Sequence, residues 1–245
     1  MNFCDIHTHL LYGVDDGAEN EEQMKKILDE AYSDGTRTIC ATPHFHPGFF
    51  GENTAAVNVA FEKLKAYAAR YPDLKLCLGN ELRYSLSCGE WLQSGACRTI
   101  NGTQYVLVDF LEYDDADFIV EATLKVFNSG YTPILAHAER YESFSRDMRE
   151  IEYLRSCGAI IQVDAGSPFG GWGRGSKIRS RRIIEAQLAD IVASDAHNTM
   201  SRPPILSGCY EYVRDKCGRE YADSLFIQNP QLILADLEIR KDDEL

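Results

Sequence analysis

Residues 105–140 read YVLVDFLEYDDADFIVEATLKVFNSGYTPILAHAER, and this stretch holds one unit of the fold. Tyr105–Val108 is a short apolar run of the kind that makes a strand buried on both faces of a parallel sheet. Val120, Leu124 and Phe127 follow at helical spacing. Gly130 stands where a left-handed residue ends a helix, and Thr132–Ala136 is a second apolar strand. Strand, helix, glycine and strand in this order predict two parallel strands joined by a right-handed crossover. Each strand delivers a residue able to bind a cation just past its end: Asp109 after the first, His137 after the second.

The same unit recurs on both sides. Phe3–Ile6, Thr38–Ala41, Leu74–Leu78, Ala159–Val163 and Ile191–Ala193 are further strand candidates, seven in all. Met24, Ile27, Leu28 and Ala31 mark one helix, and Val57, Phe61, Leu64 and Ala68 another. Gly35 and Gly158 repeat the role of Gly130. The pattern predicts an α/β fold, a closed or nearly closed barrel of seven strands. An open doubly wound sheet is the alternative. No linker, repeat or low-complexity stretch divides the chain, so residues 1–245 are expected to form one domain. Beyond Pro203-Pro204, Ile205–Leu237 reads as helices packed on the outside. The five glycines at 166, 170, 171, 173 and 175 predict a long flexible loop, at the rim or as a substrate lid. Their spacing fits no nucleotide-binding motif.

Composition narrows the function. The 245 residues carry 25 Lys+Arg against 38 Asp+Glu, a net charge of −13. Binding nucleic acid draws on clustered Lys and Arg, so such a partner is not expected. No apolar run nears the ~20 residues of a membrane span, and MNFCDIHTHLL has neither the basic nor the apolar region of a cleaved secretion signal. A cytoplasmic location with eight reduced cysteines is the expectation. Cys77 and Arg83 have the C-x5-R spacing of cysteine phosphatases, but Glu81 inside that loop would repel a phosphate dianion, so the spacing is read as chance. The terminal KDDEL is read as an acidic tail rather than a retention signal.

The distribution of ligand-forming side chains is the informative feature. The first strand runs into Asp5-Ile6-His7-Thr8-His9, and two histidines two residues apart on an extended chain point the same way. The second leads to His44 and His46, the third to Glu81, the fourth to Asp109, the fifth to His137, the seventh to Asp195 and His197. Five of the six histidines, all but His46 in the loop beyond His44, therefore fall at strand ends. In a parallel β/α barrel all those ends share one rim, where active sites are built. Mixed imidazole and carboxylate donors without cysteine suit Zn²⁺, Mn²⁺ or Fe²⁺, and so many donors suit two or three ions.

The ordered segments DIHTHLLYGVDDG, ATPHFHPG, GNELRY, YVLVDF, ILAHAERY and VASDAHN resemble the PHP (polymerase and histidinol phosphatase) superfamily. More narrowly, they resemble its bacterial metal-dependent tyrosine-protein phosphatases of capsule and exopolysaccharide synthesis. The likeness runs from Asp5 to Arg202-Pro203-Pro204 and weakens beyond. It implies a distorted seven-stranded β/α barrel, TIM-like in type, with a trinuclear metal cluster, manganese being the expected metal and iron or zinc the alternatives. By motif it places His7, His9, Glu81 and Asp195 on a first metal. Glu81 bridges to a second metal with Asp109 and His137, and Asp16, His44 and His197 hold a third. The family places Glu where this chain has Asp109, one methylene shorter. His46 lies beyond the matched ligand and is assigned to the loop or to substrate.

The resemblance also gives Arg140 and Arg202 as phosphate contacts, where a guanidinium can meet two phosphate oxygens at once. Three divalent ions bring about +6 against −4 from Asp16, Glu81, Asp109 and Asp195, leaving a pocket of roughly +2 in an acidic chain. The implied reaction is hydrolysis of phosphotyrosine by a metal-activated hydroxide, with the tyrosine-rich tail of a bacterial kinase as the implied substrate and oligomerisation an open expectation. Phe45, Phe49 and Phe50 are candidates for flanking the ring or for core packing. A histidinol phosphatase or other small-molecule phosphomonoesterase is the nearest alternative, and a non-catalytic regulatory module a further one.

Overall fold

In the computed structural model, residues 1–50, 54–144 and 148–239 are described; the KDDEL tail lies outside them. The elements in chain order are β1 (Phe3–Thr8), α1 (Glu21–Asp34), β2 (Thr36–Ala41), β3 (His44–Phe45), α2 (Thr54–Ala68), β4 (Lys75–Leu78), β5 (Glu81–Arg83), α3 (Cys88–Gln93) and β6 (Tyr105–Asp109). They continue with α4 (Ala116–Asn128), β7 (Thr132–Leu135), α5 (Arg149–Ser156), β8 (Ile160–Asp164), α6 (Gly173–Glu185), β9 (Ile191–Ala193), α7 (Ser207–Cys217), α8 (Arg219–Asp223) and α9 (Asn229–Leu234). No described helix is long and apolar enough to cross a membrane.

Every pairing between these strands is parallel. One sheet has the order β1-β2-β4, the other β3-β5-β6-β7-β8-β9. Beyond β9 the chain meets β1 again: the Asp195 amide donates to the His7 carbonyl at 2.9 Å and the His9 amide to the Ala196 carbonyl at 2.8 Å. The result is a curled parallel sheet of TIM-like type. The two shortest strands follow breaks in their predecessors. Pro43, which has no amide hydrogen, separates β2 from β3, and Gly79-Asn80 separates β4 from β5. The breaks are held together by the Glu81 amide donating to the Pro43 carbonyl (3.1 Å) and by the Asn80 side-chain amide donating to the same oxygen (2.9 Å). A Cβ on Gly79 would stand 2.9 Å from Ile100 Cδ1, so the close approach there requires glycine.

Alternation along the strands divides the core. Val106, Val108, Leu135, Ile161, Val163 and Val192 belong to the layer shared with the helices. Tyr105, Leu107, Ile134, Ile160 and Ile191 form an inner layer with Cys4, Ile6 and Cys40. With a side-chain period of two, Asp109 shares its face with Tyr105 and Leu107, and Gln162 and Asp164 share theirs with Ile160. The interior is thus apolar at the N-terminal ends of these strands and polar at their C-terminal ends.

α1 buries Met24, Ile27, Leu28 and Ala31, the predicted face; Asn20 caps its start by accepting from the Gln23 amide, and Gly35 ends it in the left-handed region. α4 differs from the sequence reading. Its buried face is Ile119, Ala122, Thr123 and Val126, one residue before the predicted Val120, Leu124 and Phe127. Phe127 is instead exposed, its ring against Gly158, whose absent Cβ leaves it room. The glycine-rich stretch is also not a long flexible loop: Ser167–Phe169 is a 3₁₀ turn and α6 already starts at Gly173. Left-handed Gly170 and Gly173 make the connection tight. The eight cysteines are all free thiols, and Cys77 and Arg83 lie on two strands rather than in a phosphate-cradling loop.

Candidate active site

The C-terminal ends of the strands bring His7, His9, Asp16, His44, Glu81, Asp109, His137, Asp195 and His197 into one cluster. Glu81, at the start of β5 and 1% exposed, is its centre. Its Oε1 lies 2.8 Å from His137 Nε2 and 3.5 Å from His7 Nε2; its Oε2 lies 2.7 Å from His44 Nδ1 and 3.2 Å from His9 Nε2. Asp195 Oδ1 is 3.4 Å from His7 Nε2 and 3.3 Å from His9 Nε2. Asp16 Oδ1 stands 3.3 Å from both His44 Nε2 and His197 Nε2. Asp109 Oδ1 lies 3.5 Å from His137 Nε2.

Local backbone geometry aims these groups. His137 and Asp195 are among the few described non-glycine residues with positive φ, 34° and 51°. Such conformations cost about 1–3 kcal/mol and tend to persist at functional sites. At His137 the strained residue opens a 3₁₀ turn closed by the Arg140 amide donating to its carbonyl (2.8 Å). After Asp195, the side chain of Asn198 accepts from the amides of Met200, Ser201 and Arg202, folding Arg202 back toward the cluster.

The imidazoles of β1 have their outer nitrogens engaged. His7 Nδ1 meets Gln162 Oε1 at 2.8 Å, and Gln162 Nε2 donates to Asp164 Oδ1 at 2.8 Å, which sets the amide orientation. His9 Nδ1 meets Asp15 Oδ2 at 2.8 Å. Both Nδ1 atoms therefore donate, and the two Nε2 atoms, 3.2 Å apart, turn their lone pairs to a shared point. Glu81 Oε2, Asp195 Oδ1 and His197 Nε2 are buried at ion-pair distance from neighbouring groups yet make no directed hydrogen bond. Three sets of donors lie within 4.8 Å of one another: His9, Asp16, His44 and His197; His7, His9 and Asp195; and His44, Glu81 and Asp109. Lone pairs that face one another inside a protein fit divalent cations, with outer partners such as Gln162 and Asp15 fixing the tautomer.

The electrostatics agree. Burial disfavours charge on His9, but Asp15, Asp195 and Glu81 more than offset it and hold its pKa well above the usual value. His44, likewise buried, is pushed up to about 10 by Glu81 and Asp16. Burial, helped by the charge of Glu81, raises Asp109 to about 7. Burial and the neighbouring Arg140 lower His137 to about 3, and burial with His9 lowers His197 to about 4. The cluster thus calls for positive charge at its centre while keeping two imidazoles neutral.

Arg140 and Arg202 both donate to Asp195 Oδ2, and Arg140 also to Asp164 Oδ2. A cavity of about 260 Å³ opens over the cluster, lined by Arg83, Phe110, Leu111 and Tyr113 as well as by cluster residues. Of the three predicted phenylalanines, Phe45 packs in the core against Trp91, Phe50 stacks on the His44 ring with centroids 5.7 Å apart, and Phe49 is exposed. His46 stacks on Phe49 in the turn beyond His44.

Sequence reasoning missed Asp15, Gln162, Asp164 and Arg83. Asp15 sits beside Asp16 in the VDDG motif, and its Oδ2 also accepts from the His44 amide at 3.0 Å. Asp164 ends β8 as Asp109 ends β6, so the strand-end rule could have found it. Arg83 pairs with Asp109 at 2.6 Å.

A parallel α/β barrel-like sheet with a buried imidazole and carboxylate cluster at its strand ends, flanked by arginines, defines the class: a candidate polynuclear metal centre open to an anionic substrate. The chain belongs to the CpsB/CapC family of capsular polysaccharide synthesis, whose sequence model matches residues 3–235. It is 32% identical over 238 residues to tyrosine-protein phosphatase CpsB of Streptococcus pneumoniae, covering 95% of this chain and 98% of the relative. It is 33% identical over 200 residues to tyrosine-protein phosphatase YwqE of Bacillus subtilis, covering 81% and 78%. A crystal structure from a study of YwqE and CpsB, described as metal-dependent tyrosine phosphatases, superposes with a TM-score of 0.86 at 30% identity over 97% of this chain and 96% of that one. A histidinol phosphate phosphatase from Lactococcus lactis, 15% identical with a TM-score of 0.56 over 87% and 94% of the two chains, shares the fold.

Proposed function

We propose that this chain is a metal-dependent protein-tyrosine phosphatase. The observation that carries the proposal is the gathering of five histidines and four carboxylates, most of them buried, beside Arg140 and Arg202, in a chain similar along its length to named tyrosine phosphatases. In this reading β2 with β3 and β4 with β5 each count as one stave, giving a seven-stave barrel and a single catalytic domain. His7, His9, Glu81 and Asp195 hold one ion, Glu81, Asp109 and His137 a second, and Asp16, His44 and His197 a third. Manganese is the preferred ion.

When bound, such ions polarise phosphoryl oxygens and lower the pKa of water. The chain supplies the rest. Arg140 and Arg202 bind the phosphoryl oxygens, and Asp195 Oδ2 keeps their guanidiniums together. Gln162 and Asp15 hold His7 and His9 in one tautomer. Phe110, Leu111 and Tyr113 give the tyrosyl ring an apolar wall in the cavity, with Phe50 stacked behind the His44 ring. Tyrosinate leaves readily enough that no general acid is assigned. The substrate is a phosphotyrosine polypeptide, the tyrosine-rich tail of a kinase of capsule or exopolysaccharide synthesis, met in the cytoplasm.

The test is a substrate panel on manganese-loaded protein. Phosphate release from a phosphotyrosine peptide should outpace release from a phosphoserine peptide and from histidinol phosphate. The reverse ranking rejects the proposal in favour of a small-molecule phosphatase, and inactivity on every monoester favours a regulatory module.

A further inference from the structure

Trp172 stands between Gly171 and Gly173 at the start of α6, with its indole against both arginines of the site. Arg140 Cζ lies 3.4 Å from the ring centroid and Arg202 Cζ 4.5 Å. Because both guanidiniums also share Asp195 Oδ2, two positive charges crowd one carboxylate oxygen and one ring. Like charges so close repel. Asp164 Oδ2 takes up part of the Arg140 charge, but a carboxylate also competes with an incoming phosphate, whereas the negative face of an indole attracts both guanidiniums without cancelling their charge.

The ring is held in place. The Gly171 amide donates to the Gly166 carbonyl (3.1 Å) and the Gly173 amide to the Gly170 carbonyl (3.0 Å). From α6, Arg179 donates to the carbonyls of Glu139 (2.6 Å) and Arg140 (3.2 Å), tying this helix to the backbone that carries Arg140. Trp172 is half-buried and is not among the residues lining the cavity over the cluster. It lines a neighbouring, more apolar cavity of about 440 Å³ with Phe169, Ile205 and Cys209. Asp195 and Arg202 line both cavities. Trp172 thus meets Arg140 and Arg202 from outside the cavity over the cluster.

We propose that Trp172 is a positioning residue: its indole holds Arg140 and Arg202 in the arrangement that receives the phosphoryl dianion. The proposal rests on the reading of those arginines as phosphate contacts.

The experiment uses the full metal-loaded chain as Trp172→Leu, Trp172→Phe and Trp91→Phe. Removing the ring face should lower kcat/KM for a phosphotyrosine peptide by about three- to thirtyfold in Trp172→Leu. Inhibition by inorganic phosphate should weaken by a similar factor, metal content should stay unchanged, and Trp172→Phe should recover most of both. The chain has two tryptophans, so in Trp91→Phe the emission reports Trp172 alone; it should change as phosphate is titrated, with the midpoint of phosphate inhibition. Native kcat/KM in Trp172→Leu, a Phe variant no better than Leu, or emission blind to saturating phosphate overturns the proposal. Should the Leu variant not fold, the Phe variant and the emission titration decide. Native turnover in both Arg140→Ala and Arg202→Ala would remove the reading underneath, whereas loss in those variants beside a native Trp172→Leu removes this proposal alone.

Discussion

Gly17→Ala tests how tightly the VDDG motif fixes the cluster. A Cβ at this position would lie 2.0 Å from the His9 carbonyl oxygen and 2.6 Å from His9 Cβ. Ordinary contact begins near 3.4 Å, so the two segments must part by about 1.4 Å, and the nearest obstacle is backbone that no rotamer change can move. The parting breaks a set of linked contacts. Ala18 donates to the His9 carbonyl at 3.1 Å, Gly17 to Asp15 Oδ1 at 3.0 Å, and Asp15 Oδ2 meets His9 Nδ1 at 2.8 Å. His9 Nε2 would leave its place opposite His7, Glu81 and Asp195. A displacement of about 1 Å in a catalytic array costs on the order of a hundredfold in rate. We therefore expect Gly17→Ala to lose a hundredfold or more in kcat/KM and to bind less metal by elemental analysis, while circular dichroism still reports a folded chain. Native metal content together with native kcat/KM would refute the reasoning, because it would mean that the Asp15–Gly17 turn does not hold His9.

Four further outcomes are expected. His137→Ala should lose metal and activity together, whereas Arg140→Ala should keep its metal and lose turnover; equal metal loss in both would make Arg140 a structural residue. Chelation should lower the melting temperature by about 5–10 °C, since an ion at a hundred times its Kd contributes about 2.7 kcal/mol; an unchanged melt would place the ions outside the fold's stability. Burial, with the charge of Asp164, raises the Glu139 carboxyl to about 8, so the unfolded chain releases that proton first and stability falls as pH rises from about 4.3 toward 8; in Glu139→Gln, which keeps the oxygen accepting from Ser167 and from the Asp164 amide, the melting temperature should fall less between pH 5 and pH 8. Metal uptake near pH 7 should release protons, because His44 and Asp109 are held up at about 10 and 7 in the cation-free cluster; calorimetric heats that do not depend on the buffer's ionisation heat would contradict this.

The strands were legible because parallel strands buried on both faces are short unbroken apolar runs, and those of β6 and β7 could be read almost residue for residue. Where reading slipped, the cause was contact rather than propensity. α4 buries Ile119, Ala122, Thr123 and Val126 and leaves Phe127 exposed against Gly158, and nothing in the spacing of Val120, Leu124 and Phe127 reports that. Pro43 signalled a break after β2, yet the resumption as β3 depends on Asn80 supplying the hydrogen bond to the Pro43 carbonyl. Most residues nearest the strand ends, Asp164 excepted, could be picked out because position alone implied a shared rim. Gln162 could not be found so, since its partner His7 is 155 residues away in sequence and a polar residue within a strand has many explanations. The glycines at 170 and 173 were visible as conformational freedom, but only the structure turns that freedom into a tight connection that seats Trp172.

Charge explains why so many of these residues sit together. Asp15, Asp16, Glu81, Asp109, Asp164 and Asp195 bring six carboxylates to one rim; Arg83, Arg140 and Arg202 bring three guanidiniums. A deficit of three positive charges in a largely buried site cannot stand unpaired. Without metal, protons fill it, which is why His9 and His44 are pulled toward their charged forms and Asp109 toward its neutral one. In the proposed function divalent ions would replace those protons with more charge and a fixed geometry, and with three of them the balance would pass from negative to positive. The arginines are already committed to Asp109, Asp164 and Asp195, so they are oriented before any anion arrives. On that proposal an acidic chain can present a phosphate site, because the excess negative charge of this rim would draw in the cations that reverse its sign.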